Sequence, residues 1–166
     1  MPQGDVVSFR NLELHDEVGL LKLRNNPLNL EFFKNPRPVS ADDHAKWFNS
    51  RFTDFKELQI VGVLSNQLIG IVFLVPLDNH SSSISINIDS EYQSQGIGQE
   101  LLTRMLSRAD SLKISRIEAL IHVSNTKSIS LFEKCGFVFE GKISEFFFRY
   151  VKLTTQNTLT QFPGLL

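Results

Sequence analysis

The sequence predicts a mixed α/β (α+β) fold, in which a twisted, mostly antiparallel sheet carries helices on its faces. Residues 82–89 alternate serine and asparagine with isoleucine, which is typical of a strand with one buried face. Residues 98–112 place leucine, methionine and alanine side chains, ending with Leu112, on one side of a helix. Residues 116–123 then form an apolar strand, and this strand–helix–strand order predicts that the two strands are parallel neighbours.

The expected element order is β-α-α-β-β-β-α-β-α-β-β. The expected strands lie at residues 6–9, 57–64, 68–77, 82–89, 116–123, 137–139 and 146–153. The expected helices lie at residues 16–24, 40–52, 98–112 and 126–134. Asp16 and Ser40 are predicted N-caps, and Gly136 is predicted to end the last helix. Val18 and Leu21 are predicted to form the apolar side of the first helix, and residues 28–39 are predicted to be irregular.

The composition is that of an ordinary globular protein of one domain, with 42% apolar and 21% charged residues. The formal net charge of -1 gives no electrostatic reason to expect nucleic acid or an anionic membrane as a partner. Cys135 is the one cysteine, which excludes an internal disulfide and fits a reducing compartment. No apolar stretch reaches the length of a membrane span, and residues 1–5 lack the build of a signal peptide, so a cytoplasmic location is expected.

Two glycines join the strand at 82–89 to the helix at 98–112, in the segment Gln93–Gly98 (QSQGIG). Such a junction exposes backbone N–H groups at a helix N-terminus, where they can hold an anion such as a pyrophosphate. The spacing differs from G-x-x-x-x-G-K-[ST] and lacks the third glycine of the dinucleotide fingerprint, so a P-loop is excluded and a Rossmann site is disfavoured. A helix cap with glycine-assisted packing explains the segment equally well at this point.

A second motif, Asn125–Phe137 (NTKSISLFEKCGF), follows the next strand. Together, and in this order, the two motifs resemble the acyl-CoA-binding half of the GCN5-related N-acetyltransferase (GNAT) superfamily over residues 57–153. The resemblance implies a sheet whose parallel pair splays apart at its C-terminal ends. It also implies one acyl-CoA N-acyltransferase domain over residues 1–153, followed by a C-terminal tail at 154–166.

The N-terminal part resembles a subset of that superfamily. Leu23–Pro27 (LRNNP), followed by Ser40, His44, Trp47 and Phe48, is similar to ribosomal-protein N-terminal acetyltransferases and to acetyltransferases of nucleotide-linked amino sugars. The amino-sugar branch is slightly closer. The resemblance implies that this part of the chain binds the acceptor.

The resemblance implies acetyl-CoA as co-substrate and no metal. In such folds the backbone N–H groups of residues 95–99 bind the pyrophosphate, and the Ile88 N–H polarises the thioester carbonyl. Asn125 would bind the pantetheine arm or a water at the splayed strands, while Lys134 either reaches the adenosine phosphates or is a solvated charge at a helix end. The implied cofactor-binding residues are Ile88, Gln93, Gln95, Gly96, Ile97, Gly98, Gln99, Asn125 and Lys134.

Two catalytic residues common in the superfamily are replaced in this chain. Phe132 stands where many relatives have a tyrosine that protonates the leaving thiolate, and small polar residues stand where many have a glutamate on the central strand. The candidate catalytic residues are therefore His122, Ser85, Asn87 and Asn125, acting directly or through an ordered water. His122 is a candidate base because an imidazole accepts a proton near neutrality, although a lone histidine at a strand end is often structural. Asp89 and Glu91 are further candidates.

Three residues are candidates for binding the acceptor. Arg24 can pair with a phosphate or carboxylate, or can cap a helix end. His44 and Trp47 share a helix face and line an acceptor pocket or form a packed helix seam. Cys135 is expected to be packing, since nothing in the sequence points to a partner that would activate its thiol.

The predicted function is transfer of an acetyl group from acetyl-CoA to a primary amine, with a nucleotide-linked amino sugar as the first choice of acceptor. A peptide or ribosomal-protein N-terminus is an alternative acceptor, and a non-catalytic acyl-CoA-binding module is an alternative function. The phenylalanine-rich segment 146–148 either forms an edge that pairs with a second copy or is buried within one chain.

Overall fold

The computed structural model describes residues 6–54 and 58–154. Its strands are β1 (Ser8–Asn11), β2 (Gln59–Leu64), β3 (Gln67–Pro76), β4 (Ser81–Ile88), β5 (Arg116–His122), β6 (Val138–Lys142) and β7 (Phe147–Leu153). Its helices are α1 (Glu17–Arg24), α2 (Pro27–Leu30), α3 (Ala41–Asp54), α4 (Ile97–Ser111) and α5 (Thr126–Lys134). The predicted order is confirmed, with α2 as an addition. The predictions for residues 1–5, for position 57 and for the tail beyond residue 154 lie outside the described residues.

The described strands form one sheet in the order β1-β2-β3-β4-β5-β7-β6, in which β4 and β5 are the one parallel pair. Their pairing joins Ser81–Ser83 to Arg116–Glu118 and ends there, although β4 continues to Ile88 and β5 to His122. The strands therefore diverge toward their C-terminal ends. The predicted mixed sheet with a splayed parallel pair is confirmed.

Helices cover both faces of this sheet. On one face α4 buries Leu101, Leu102 and Met105 against the isoleucines of β4 and β5. On the other face, Leu20 and Leu23 of α1 and Phe48 of α3 form a second core with the strand residues Val61, Val63, Leu68 and Ile71. The strand residues of this second core belong to β2 and β3. On the same face of the sheet, the core of α1 and α3 does not extend, among the described residues, to β5 and β7.

Three local predictions in the helices are wrong. Val18 is 78% exposed, because a short 3₁₀ turn precedes α1 and the helix directs Leu20 and Leu23 to the core. Asp16 makes no side-chain cap, since its carboxylate is buried and accepts hydrogen bonds from Arg10. Leu112 is exposed because the helix ends at Ser111.

One loop prediction also differs from the structure. Residues 27–30 are helical, because Asn26 Oδ1 accepts a bond from the Leu28 N–H and Pro27 occupies the first helical turn. Of the two interpretations of the segment 146–148, the edge is wrong, because β7 pairs with β5 on one side and with β6 on the other. Phe146, just before β7, is 60% exposed. The predicted N-cap of α3 is confirmed, because the Ser40 hydroxyl accepts a hydrogen bond from the Asp43 N–H. The predicted end of α5 is also confirmed, because Gly136 follows the helix with a φ of +83°.

His44 joins α3 to α1. Its ring is 4% exposed, and its Nε2 lies 3.1 Å from the backbone carbonyl oxygen of Glu17. The ring also packs on Trp47, at 5.4 Å between centroids. Burial lowers the pKa of His44 below its ordinary value of 6.5, because the charged ring would lose its hydration. His44 therefore occupies the packed helix seam, the second of its two sequence interpretations.

We expect acidification to destabilise the protein partly through His44. A depressed folded-state pKa means that the stability contributed by neutral His44 is present above 6.5, the unfolded value, and is lost as pH falls through the lowered pKa. His44→Gln should therefore show a weaker fall of melting temperature between about pH 7 and pH 5. The matched control is His80→Gln, at an exposed histidine. Identical slopes for His44→Gln and wild type would contradict the assignment.

Candidate active site

The gap between β4 and β5 exposes the backbone of Ile88. The Asp89 N–H donates to the Ile69 carbonyl at 2.9 Å, and Ile88 lies opposite Gly70 on β3. Hydrogen-bonded and non-hydrogen-bonded pairs alternate along an antiparallel ladder, so Ile88 belongs to a pair without mutual bonds. Its N–H and C=O groups consequently point away from β3, into the gap.

The segment Gln93–Gly98 forms a cradle at the start of α4. Ser94 and Gly96 have φ values of +61° and +84°, and the N–H groups of the first helical turn, from Ile97 onward, have no acceptor within the helix. A Cβ at Gly96 would meet no atom within 4 Å, so the space in front of the turn is open. A Cβ at Gly98 would lie 3.0 Å from Leu131 Cδ2, so this glycine serves packing. The cradle therefore fits an anion held by N–H groups and a helix dipole.

Both ends of α5 carry predicted cofactor residues. Asn125 caps the helix, because its Oδ1 accepts from the Ser128 N–H at 3.1 Å. Lys134 is exposed in the last turn. Lys127, which sequence reasoning missed, donates from Nζ to Gln93 Oε1 at 3.1 Å and so joins α5 to the segment after β4.

A buried amide, Asn29 of α2, lies at the end of β4 and was also missed. Its Nδ2 donates to Asn87 Oδ1 at 2.8 Å and to the Ile88 carbonyl at 2.9 Å. Its Oδ1 accepts from Gln93 Nε2 at 3.1 Å. The one sequence signal is the run of asparagines around Pro27, which by itself is typical of a loop.

Three predicted catalytic residues share one face of the sheet. Side chains alternate along a strand, so Ser85 and Asn87 on β4 and His122 on β5 lie on the face opposite the α4 core. Ser85 is exposed, whereas Asn87 and His122 are half-buried. Asn125 begins α5 just beyond β5. The structure therefore brings Ser85, Asn87 and His122 to the polar face that borders the gap.

His122 lies among three phenylalanine rings. Its ring centroid is 6.0 Å from that of Phe32, 6.2 Å from Phe146 and 5.4 Å from Phe147. The Ser124 N–H donates to Nδ1 at 3.3 Å, and the Ser124 hydroxyl lies 2.8 Å from the same nitrogen. An Nδ1 that accepts a bond places the proton of the neutral ring on Nε2. A proton taken up by His122 therefore arrives at Nδ1, next to Ser124.

Arg24 is the last residue of α1 and follows Leu23, whose carbonyl accepts a hydrogen bond from Asn87 Nδ2. Its guanidinium carbon is 4.2 Å from the centre of the Phe33 ring, and its Nη2 donates to the Asn35 carbonyl at 2.8 Å. Its Nη1 is buried and has no hydrogen-bond partner among the described residues. Burial lowers the pKa of Arg24, but an arginine remains charged at neutral pH. Trp47 lies between His44 and Phe73 and is half-buried.

The remaining candidates have structural contacts. Phe132 is 2% exposed and packs its ring against Phe137 at 4.9 Å between centroids. The Asp89 carboxylate caps a 3₁₀ turn by accepting from the Glu91 N–H, and Glu91 itself is exposed. Burial raises the pKa of Cys135, so its thiol stays protonated, in keeping with the prediction that it serves packing.

Comparisons with known proteins identify the family of the chain. A sequence model described as "Acetyltransferase (GNAT) domain" covers residues 7–138. The chain belongs to the GNAT acetyltransferase family. A spermidine N(1)-acetyltransferase from Vibrio cholerae is 30% identical over 146 residues, which are 86% of this chain and 84% of that protein. An L-methionine sulfoximine/L-methionine sulfone acetyltransferase from Pseudomonas aeruginosa is 22% identical over 156 residues, which are 89% of this chain and 91% of that protein.

Solved structures of GNAT proteins superpose on most of the chain. Spermidine N-acetyltransferase from Vibrio cholerae, in complex with CoA and spermine, gives a TM-score of 0.77 at 26% identity and covers 92% of this chain and 98% of that one. A phosphinothricin acetyltransferase from Sinorhizobium meliloti, in complex with acetyl-CoA, gives a TM-score of 0.80 at 18% identity. The match covers 93% of this chain and 91% of that one. The predictions of the GNAT fold, of an acetyltransferase and of acetyl-CoA as its co-substrate are confirmed.

Two further features of the GNAT chain can be stated for residues 6–54 and 58–154. No group of three or more histidine, cysteine, aspartate and glutamate side chains is arranged to hold a metal ion. No helix in these residues has the length and apolarity needed to cross a membrane.

We expect Gly96→Asn to weaken acetyl-CoA binding. Asparagine tolerates positive φ, so the fold should persist while the new side chain fills the open space in front of the cradle. The dissociation constant, measured by calorimetry, should rise about tenfold or more, or about 1.4 kcal/mol. The matched control is Gly141→Asn on the edge strand β6, where the Cβ position is also open. An unchanged dissociation constant for Gly96→Asn would place the pyrophosphate elsewhere.

Proposed function

We propose that this acetyltransferase acts on a primary amine in a small molecule that also carries an anionic group, with a nucleotide-linked amino sugar as first choice. The observation that carries this proposal is Arg24, whose Nη1 is a buried donor with no hydrogen-bond partner among the described residues. An unsatisfied buried donor costs about 1–3 kcal/mol, and a phosphate or carboxylate oxygen would remove that cost.

The relatives support an anionic acceptor and also name a competing one. The Pseudomonas aeruginosa relative is named for methionine derivatives, which carry a carboxylate next to their amine. The Vibrio cholerae relative is named for spermidine, which is a polycation. A guanidinium at the acceptor side would repel a polycation, so Arg24 favours the first kind of acceptor.

The co-substrate would occupy the cradle and the gap. Acetyl-CoA, when bound, supplies the acetyl group as a thioester, whose C–S bond breaks as the acceptor nitrogen bonds to the carbonyl carbon. The N–H groups of residues 95–99 would hold its pyrophosphate, and we propose Gln93, Asn125 and Lys134 as further contacts. The Ile88 N–H, which faces the gap, polarises the thioester carbonyl.

The proton lost by the amine would pass to His122. Ser124 Oγ lies 2.8 Å from His122 Nδ1, so the hydroxyl relays the proton to this nitrogen. Ser85 and Asn87 border the same face, where a water bound to them would connect the amine to Ser124. Because Phe132 has no acidic proton, the departing thiolate is protonated by solvent. Positioning of the two substrates supplies the rest of the rate enhancement.

The first test is release of CoA thiol from acetyl-CoA with a panel of acceptors. UDP-linked amino sugars, amino acid analogues with a free carboxylate, peptides with free N-termini and polyamines should be compared at equal concentration. Turnover with the anionic amines and little with polyamines is the expected result. Turnover confined to polyamines or to peptides would overturn the proposed acceptor class, while leaving the acetyltransferase family unaffected.

Arg24→Gln should raise the KM of the preferred acceptor about tenfold or more, because a charge-assisted hydrogen bond contributes about 1.5–3 kcal/mol. The acetyl-CoA KM should stay unchanged. The matched control is Lys22→Gln, which removes one positive charge from an exposed position on the same helix. Equal effects of the two variants would mean that only net charge matters.

His122→Gln should lower kcat about a hundredfold without changing acetyl-CoA affinity, since general base catalysis contributes effects of this size. Ser124→Ala should lower kcat as well, because it removes the relay to Nδ1. The control is His15→Gln, at an exposed histidine in the N-terminal turn. A kcat for His122→Gln within about twofold of wild type would exclude His122 as the base.

A further inference from the structure

We propose that Asn29 is a positioning residue for acetyl transfer, which keeps the Ile88 N–H directed into the gap by replacing the strand pairing that β4 has lost. This inference rests on the proposed role of Ile88 as the group that polarises the thioester carbonyl. It assigns to α2, a four-residue helix outside both sequence motifs, an effect on the reacting bond.

The end of β4 needs such a replacement. Pairing with β5 stops at Ser83, five residues before Ile88, so the edge of β4 that faces the gap has no ladder there. The N–H and C=O of an extended residue in a non-hydrogen-bonded pair point to the same side. An arrangement that fixes the Ile88 carbonyl therefore also fixes the direction of the Ile88 N–H.

Two side-chain amides supply the missing donors to this carbonyl. Asn29 Nδ2 lies 2.9 Å from the Ile88 oxygen, and Gln93 Nε2 lies 3.3 Å from it. Asn29 is 6% exposed, so its bonds form away from bulk water and have few competing partners. The Ile88 carbonyl is thereby satisfied, while the N–H of the same residue is kept for the substrate.

The orientation of the Asn29 amide is fixed by its neighbours. Nδ2 donates to two acceptors, Asn87 Oδ1 and the Ile88 carbonyl, while Oδ1 accepts from Gln93 Nε2. A rotated amide would place its oxygen against both of these acceptors and its nitrogen against a donor. Asn87 Nδ2 continues the chain by donating to the Leu23 carbonyl at 3.1 Å, and Lys127 begins it by donating to Gln93.

This chain of bonds connects the two substrate sides of the enzyme. Leu23 lies next to Arg24 on α1, whereas Gln93 begins the cradle in front of α4. A displacement of α2 would move Asn29 and so release the end of β4. We therefore expect loss of the Asn29 amide to act on the reacting carbonyl more than on co-substrate affinity.

The experiment compares two asparagines of the same segment. Asn29→Leu keeps a side chain of similar size and removes the amide, and Asn29→Asp keeps the shape and removes both Nδ2 donors. The control is Asn26→Ala, because Asn26 caps α2 and donates to Ser90 Oγ but has no recorded bond to Ile88 among the described residues. A lost cap costs about 1 kcal/mol of stability, so this control reproduces a structural defect in α2.

The readout is the infrared carbonyl stretch of acetyl-CoA labelled with ¹³C at the thioester carbon, measured in the complex without acceptor. A hydrogen bond to the carbonyl lowers this frequency. We expect a red shift in wild type and in Asn26→Ala, and its loss in both Asn29 variants at similar acetyl-CoA affinity. In turnover assays, kcat should fall about tenfold for the Asn29 variants, with a smaller change for Asn26→Ala.

The outcomes separate this inference from the proposed function. A red shift that persists in both Asn29 variants would overturn the role of Asn29 and leave that of Ile88 intact. A wild-type complex with no red shift would overturn the assignment of Ile88 itself. Equal losses in the Asn26 and Asn29 variants would mean that α2 acts only as a structural support, which also overturns the inference.

Discussion

Two parallel strands that pair over only three residues each must leave polar backbone groups beyond them without a ladder. In this chain the pairing of β4 with β5 ends at Ser83 and Glu118, and the arrangement of the site follows from that ending. A buried backbone group without a partner costs free energy, so the groups at the open edge require side chains or a ligand. Amides from α2 and from the segment after β4 bind the Ile88 carbonyl, and the Ile88 N–H stays available.

The two faces of the sheet differ in polarity where β4 and β5 diverge. Isoleucines of β4 and β5 pack under α4 on one face, and this packing brings the first turn of α4 to the open edge. Ser85, Asn87 and His122 lie on the other face, where the apolar core formed with α1 and α3 packs on β2 and β3. A rigid apolar layer thus supports a polar surface on which two substrates can meet.

The fold and the cradle could be predicted because they depend on local patterns. The alternation in β4, the glycines before α4 and the capping residue Ser40 each act within a few positions of the chain. The position of Asn29 could not be predicted, because its partners Asn87 and Ile88 are separated from it by 58 and 59 residues. Lys127 and Gln93 are likewise 34 residues apart. The sequence pattern places Val18 on the wrong side of α1, because the helix starts after a 3₁₀ turn that shifts its apolar side.

The bonds that align β4 with α2 are made almost entirely by carboxamides, with Lys127 as the one charged group in the chain of contacts described above. Carboxamides neither titrate nor attract counterions, so dissolved salt screens their bonds far less than it screens ion pairs. The proposed attraction between an anionic acceptor and Arg24 would weaken as ionic strength rises, whereas the geometry at Ile88 would stay the same. Added salt should therefore weaken acceptor binding without changing the alignment of the reacting groups. Ionic strength can thus be used to study acceptor binding by itself.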